Sequence, residues 1–209
     1  MLNALLKDGL LNFILKLDRW LLLKINHDWS NPFFDSIFPL WRHSDIWIPL
    51  YFFLFVFLIL NFGLRSFYWM LFLGLTAGVC DQISSSFVKE LFDRLRPCRD
   101  PSLAEQLRLL LNYCPSSGSF TSSHATNHFG VAMFIYITMK DVFKRSGKLF
   151  FVWAATICYG QVYVGVHYPL DVIGGAILGC GIGYTIAYIF NSSPALSYTT
   201  LSAPDADID

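Results

Sequence analysis

Charge is what this sequence has least of. Asp, Glu, Lys and Arg make up 14% of its 209 residues, where an ordinary soluble domain carries about 25%. None occurs between residues 149 and 170. With 55% apolar residues and a mean hydropathy of +0.48, this shortage argues against a soluble domain and for a chain that lives in a bilayer. The charges that remain cancel, 15 basic against 15 acidic. There is thus no basic excess to mark a nucleic-acid partner. No secretory leader is expected, because Lys7 and Asp8 interrupt the N-terminus before an apolar core has formed. No internal repeat is visible, so a solenoid is not expected.

Long uncharged runs fill the space that charge leaves. A helix needs about 20 mostly apolar residues to cross the hydrocarbon. Residues 46–64, 66–88, 119–139, 149–170 and 172–190 meet that need, the second broken only by Asp81. Pro49 is tolerable in a first helical turn. The sequence therefore predicts an all-α, polytopic transmembrane bundle of about five spans. In the last of them Gly175, Gly179 and Gly183 recur every four residues, which allows a second helix to approach closely. Residues 1–44 differ: their longest uncharged run near the start, 9–15, is too short to cross. Leu6, Leu10, Phe13, Leu17 and Trp20 form one helical stripe, which predicts an amphipathic helix lying in the interface. Residues 31–41 read as a second interfacial piece, with a sixth span as the alternative. The chain thus divides into N-terminal interfacial helices (1–44), a transmembrane core (45–190) and a flexible acidic tail (191–209). The loop 140–148 holds four basic residues and one acidic one, which makes it cytoplasmic. Residues 89–118 and the turn from His167 to Asp171 then face outward.

Three polar clusters meet on that outer side. Lys89 and Arg96 stand seven residues apart in "KELFDRLRP". Ser122, Ser123 and His124 open the third span in "FTSSHA". His167 precedes Asp171 by four residues in "GQVYVGVHYPLD". Two cations, several hydroxyls, helix N-terminal amides, two histidines and a carboxylate suit a phosphate-like oxyanion. Neutral imidazole attacks phosphorus and forms a covalent intermediate. A carboxylate on its other nitrogen fixes the tautomer and steadies the cation that develops. Pro169 starts the fifth span and puts Asp171 in its first turn, within reach of His167. That makes His167 the candidate nucleophile, Asp171 its orienting acid and His124 the proton donor to the leaving oxygen.

These clusters resemble the type 2 phosphatidic acid phosphatase superfamily, whose signature is K-x6-RP, then PSGH, then SR-x5-H-x3-D. The match covers about residues 85–175 and the layout of the spans. The resemblance implies a lipid phosphatase, free of metal and cofactor, that works through phosphohistidine. It implies phosphate binding by Lys89, Arg96, Ser122, Ser123 and Gln161, and catalysis by His167, His124 and Asp171. The sequence departs from the signature at several points. Thr121 stands for the motif's proline, Ser123 for its glycine and Gly160 for a serine. Gln161 replaces an arginine, which removes a charge and a bidentate fork. Arg94 or Arg99 is expected to supply the missing cation. The implied partners are the bilayer and a lipid phosphate, with no nucleic acid. The implied location is a bacterial inner membrane, with the site facing the periplasm. Undecaprenyl diphosphate is the first choice of substrate, since short bacterial members often recycle it. Phosphatidylglycerol phosphate, phosphatidic acid and lipid A phosphate stay open. So do a degenerate, non-catalytic phospholipid binder and a lipid phosphotransferase.

Blander readings stand beside these. His124, His128 and His167 have the residue types of a zinc site, but lysine, arginine and serine surroundings suit an anion better. His128 alone reads as a packed or hydrogen-bonded helix residue. A lone Lys89 or Arg96 would be a snorkelling anchor. Asp81, an intramembrane carboxylate, reads as a partner for Ser85 or a motif residue. Cys80, Cys158 and Cys180 lie in spans and read as small core residues. Cys98 and Cys114 flank the outer loop, where an oxidising exterior allows a disulfide.

Overall fold

The computed structural model describes residues 2–193, with side chains from Gly9 onward. Its helices arise from the uncharged runs and from the residues that stop them. Helix α1 spans Leu2–Leu23, and a π-helical turn, Lys24–Asp28, leads out of it. Helix α2 spans Pro32–Trp41; the Asn31 side chain caps it by accepting from Phe34 N, and proline takes its first position. Helix α3, Ile48–Phe62, ends at Gly63, whose φ of 60° favours glycine. Helix α4 runs unbroken from Arg65 to Phe92, its stretch Ile83–Val88 widened into a π-helix. Helices α5 (Ser123–Thr138), α6 (Leu149–Tyr163) and α7 (Pro169–Asn191) complete the bundle. There is no strand among the described residues. Of the expected tail, 191–209, Asn191 ends α7 and residues 194–209 lie outside the described residues, as does the side chain of Leu6.

Three described helices are long and apolar enough to cross a membrane: Ser44–Phe62, Arg65–Phe92 and Pro169–Asn191. The expected spans 119–139 and 149–170 are shorter than the sequence suggests. Helices α5 and α6 have 16 and 15 residues, or about 24 and 22 Å against roughly 30 Å of hydrocarbon. Both stop short at the same end, where residues 119–122 and 164–168 leave the helix while staying uncharged. Non-helical backbone at such depth must be satisfied by protein, and it is. Ser119 N donates to Arg94 O (2.7 Å), Ser122 N to Asp171 O (3.0 Å) and Tyr168 N to Asp171 Oδ2 (2.8 Å). The buried Asn26 amide donates to Tyr163 O (2.7 Å) and Arg108 O (2.7 Å). The missing turns of two helices are thus replaced by a polar floor.

Below that floor the core is apolar. Leu54, Leu58, Trp69, Phe134, Ile135 and Phe190 from α3, α4, α5 and α7 are buried together. The Trp69 indole is satisfied by Thr138 Oγ1 at 2.8 Å. Helices α5 and α7 cross most closely, with Gly130 against Gly179 and Gly183. A second core joins the N-terminal segment to the floor through Leu22, Phe38, Val162, Tyr163 and Val166. Leu10, Phe13, Leu17 and Trp20 stand exposed on α1, while Arg19 pairs with Asp100 at 2.6 Å.

The outer loop carries one covalent tie. Cys98 and Cys114 are joined, their Cα atoms 6.0 Å apart and 16 residues distant in sequence, and Cys80, Cys158 and Cys180 are free. Closing a loop of that length stabilises by about 3 kcal/mol in the chain-entropy model. We expect unreduced peptide mapping to recover the Cys98–Cys114 crosslink, and reduction to make residues 97–118 the first site of proteolysis. Equal alkylation of both thiols in native, unreduced protein would rule the tie out.

Candidate active site

The π-helical stretch Ile83–Val88 has consequences for Lys89. Each π turn takes in an extra residue and rotates the rest of the helix about its axis, which is why such bulges recur at functional sites. Lys89 comes directly after it and is buried, 8% exposed. Among the described residues its ammonium has no hydrogen-bond or ion-pair partner. Arg96, 5% exposed, lies beyond the end of the same helix. Its Nε donates to Ser117 O (2.9 Å), its NH2 to Ser117 Oγ (3.1 Å) and its NH1 to Val166 O (3.2 Å). The same NH1 sits 3.0 Å from His167 Nε2.

That last contact fixes the chemistry of His167. A guanidinium only donates, so Nε2 must carry the lone pair and Nδ1 the proton. Nδ1 faces Asp171 Oδ2 at 3.5 Å and Ser119 Oγ at 3.5 Å. Ser119 in turn donates to Asp171 Oδ2 at 2.5 Å. His167 is 2% exposed, in the turn 164–168 between two spans. Burial lowers its pKa to about 4; its hydrogen bond to Asp171 raises it, and Arg96 and Lys89 add to the lowering. The unprotonated nitrogen, Nε2, is thus turned toward Arg96.

Asp171 is held from three sides. Besides Ser119 and the Tyr168 amide, Arg94 NH1 reaches Asp171 Oδ1 at 2.6 Å. Arg94 NH2 reaches Asp18 Oδ2 at 2.5 Å, and Asp18 Oδ1 accepts from Leu170 N at 2.8 Å. Arg94 also lies over the Tyr168 ring, 4.0 Å from its centre. The charge on Arg94 is thus matched by two carboxylates, Asp18 and the Asp171 that faces His167. Arg99 donates to Ser116 O in the outer loop. Neither arginine stands beside Gln161, contrary to the sequence-based expectation. Arg42 does: its Nε donates to Gln161 Oε1 at 3.2 Å, and both side chains are buried. Burial lowers the Arg96 pKa to about 10, with Asp171 opposing and the Arg42 and Arg99 cations adding to the lowering.

The remaining predicted residues line the start of α5. Ser122 is fully buried and caps the helix, its Oγ accepting from Ala125 N at 3.4 Å. The Ser123 hydroxyl is buried without a partner. Both ring nitrogens of His124 are free of hydrogen bonds among the described residues. His128 gives its Nδ1 to His124 O at 2.8 Å, an ordinary helix contact. Among the described residues no three His, Cys, Asp or Glu side chains group as a metal site requires. Asp81 O accepts from Ser85 Oγ at 2.6 Å and Asp81 Oδ1 from Asn127 at 3.3 Å.

Comparison with known proteins fits this geometry. A sequence model described as the PAP2 superfamily matches residues 67–194. A lipid A 4'-phosphatase of Bacteroides thetaiotaomicron is 34% identical over 182 residues, 86% of this chain and 79% of that protein. A lipid A 4'-phosphatase of Porphyromonas gingivalis is 29% identical over 94% of this chain and 83% of its own. An undecaprenyl-diphosphatase of Sulfolobus acidocaldarius is 35% identical over 85 residues, 41% of this chain and 40% of its own. The crystal structure of Aquifex aeolicus LpxE shares the fold with a TM-score of 0.57 at 24% identity, covering 83% of this chain and 94% of that one.

Proposed function

The chain belongs to the PAP2 superfamily and is a membrane lipid phosphatase; from that premise we propose that it removes a phosphate monoester from a glycolipid of the lipid A type, through a phosphohistidine on His167. One observation carries the mechanism. Lys89, Arg96 and Arg42 are buried, Arg96 directly against His167, and the site's carboxylate, Asp171, is already matched by Arg94. Buried cations without carboxylates call for an anion from outside the chain. An arriving phosphoryl group takes the Arg96 N–H that now faces Nε2, which frees the lone pair for in-line attack. Asp171 and Ser119 hold the Nδ1 proton while positive charge grows on the ring. His124 takes up a proton as the anionic substrate arrives among the cations, gives it to the leaving sugar oxygen, and then takes one from the water that cleaves the phosphohistidine.

The choice of lipid rests on coverage. The two lipid A 4'-phosphatases are similar over 86% and 94% of this chain. Similarity to the undecaprenyl-diphosphatase covers 41%. Undecaprenyl diphosphate stays as the second reading, supported by that shorter similarity. The basic loop 140–148 supports a site on the outer face. The exposed stripe Leu10, Phe13, Leu17 and Trp20 supports α1 resting in the interface beside it. Purified protein should be offered bis-phosphorylated lipid A, undecaprenyl diphosphate, phosphatidylglycerol phosphate and phosphatidate at equal surface density. Loss of one phosphate from lipid A, read by mass spectrometry and faster than from the others, is expected. Preferred turnover of undecaprenyl diphosphate would replace this choice by the second reading.

A further inference from the structure

Arg42 is a buried cation that its surroundings leave without a counter-ion. It comes directly after α2, outside the segment that the superfamily pattern covers, and is 4% exposed. Among the described residues its guanidinium makes one hydrogen bond, from Nε to the neutral Gln161 amide oxygen, and no ion pair. Its terminal nitrogens, with four N–H donors, are unengaged. Arg94 and Arg108 differ: Arg94 has Asp18 and Asp171, and Arg108 has Asp35. Gln161 is fully buried too, and its Nε2 also lacks a partner. Burying an unpaired charge and an unpaired amide is strongly unfavourable unless a ligand completes them. Gln161 O accepts from Val166 N at 3.3 Å and Val166 O accepts from Arg96 NH1 at 3.2 Å, so the Arg42–Gln161 pair adjoins the turn that carries His167.

We propose that Arg42 and Gln161 form one donor fork for the phosphoryl oxygens of the substrate, with Gln161 Oε1 positioning the guanidinium and Arg42 supplying the charge. This rests on the phosphatase reading and adds a substrate-contacting residue from the N-terminal segment. The glutamine in α6 is then half of a two-residue device: the helix supplies the acceptor that aims the cation, and the end of α2 supplies the cation.

The test uses the full chain in detergent with variants Arg42→Gln, Arg42→Lys, Gln161→Arg and the double exchange Arg42→Gln/Gln161→Arg. A short-chain phosphatidate serves as substrate and inorganic phosphate as ligand. Arg42→Gln should lose about a hundredfold in kcat/KM, as removal of one preorganised donor does, with a smaller loss for Arg42→Lys. It should also lose the phosphate-dependent rise in Tm, while its Tm without phosphate stays level or rises as the uncompensated charge is removed. Gln161→Arg alone should lower activity by setting two guanidinium groups against each other. The double exchange should regain at least tenfold over Arg42→Gln. Wild-type kcat/KM in Arg42→Gln would overturn the proposal, as would a lower Tm without phosphate that the double exchange fails to recover. A wild-type chain with neither turnover nor a phosphate-dependent Tm would instead sink the phosphatase reading, and the fork with it.

Discussion

His167→Ala is expected to end turnover, by on the order of ten-thousandfold or more, in protein that still folds. No neighbour can take over the attack. Among the described residues His124 has no carboxylate to orient its ring, and the His128 ring is tied to the His124 carbonyl at 2.8 Å. Removing the imidazole leaves Arg96 with both Ser117 contacts and the Val166 carbonyl, so the floor keeps its hydrogen bonds. Folding should therefore survive while chemistry does not. Phosphate release from lipid substrate measures the loss, and intact-mass detection of an acid-labile phosphoryl adduct after rapid quench measures the intermediate. The adduct should appear in the wild type and vanish in His167→Ala. His124→Ala should cost less on a substrate with a good leaving group, where protonation matters less. Activity should persist in chelators. Substantial turnover by His167→Ala, or a loss that only zinc repairs, would remove the phosphohistidine assignment.

The parts of this molecule legible in the sequence are those whose signal is local. Residues 46–64, 66–88 and 172–190 are almost free of charge for the length of a bilayer, and they form α3, α4 and α7. Residues 119–122 and 164–168 are equally uncharged but not helical, because protein groups such as the Asn26 amide and the Asp171 carboxylate satisfy the neighbouring backbone. Hydropathy cannot separate that from a helix in lipid. Lys89, Arg96, His124, His167 and Asp171 sit in short motifs at fixed spacing, and the fold brings them together. Ser119, Arg94 as the partner of Asp171, Asp18 and Arg42 reach the site from positions that no motif spacing links. The Arg42–Gln161 bond spans 119 residues, and the Asp18–Leu170 bond spans 152. A faint signal for Arg42 was present: an arginine after Trp41 with no acid nearby except Asp45. The expectation that Arg94 or Arg99 fills the arginine's place failed because nearness to Arg96 in sequence is not nearness to Gln161 in space.

Gly179→Val and Gly183→Val are expected to abolish the folded bundle, while Gly181→Val leaves it intact. All three glycines lie on α7 within one short stretch, so helix propensity and lipid solvation treat them alike. Their surroundings differ. A Cβ on Gly179 would collide with the carbonyl of Thr126 and the amide of Gly130, and one on Gly183 with the carbonyl of Gly130. Those are backbone atoms of α5 and cannot swing aside as a side chain would. A Cβ on Gly181 meets nothing within 4 Å. Overpacking that side chains can absorb costs about 1–3 kcal/mol, and a backbone clash that forces two helices apart lies at or beyond the upper end. Separation also reaches the chemistry. α5 is capped by Ser122, whose amide holds the Asp171 carbonyl at 3.0 Å, and α7 begins at Pro169 and carries Asp171. Even a partly folded Gly179→Val protein should therefore lose activity before it loses helix content. Monodisperse yield after detergent extraction, Tm and phosphate release separate the three variants. Equal behaviour of Gly179→Val and Gly181→Val would mean that close approach of α5 and α7 does not hold the bundle together.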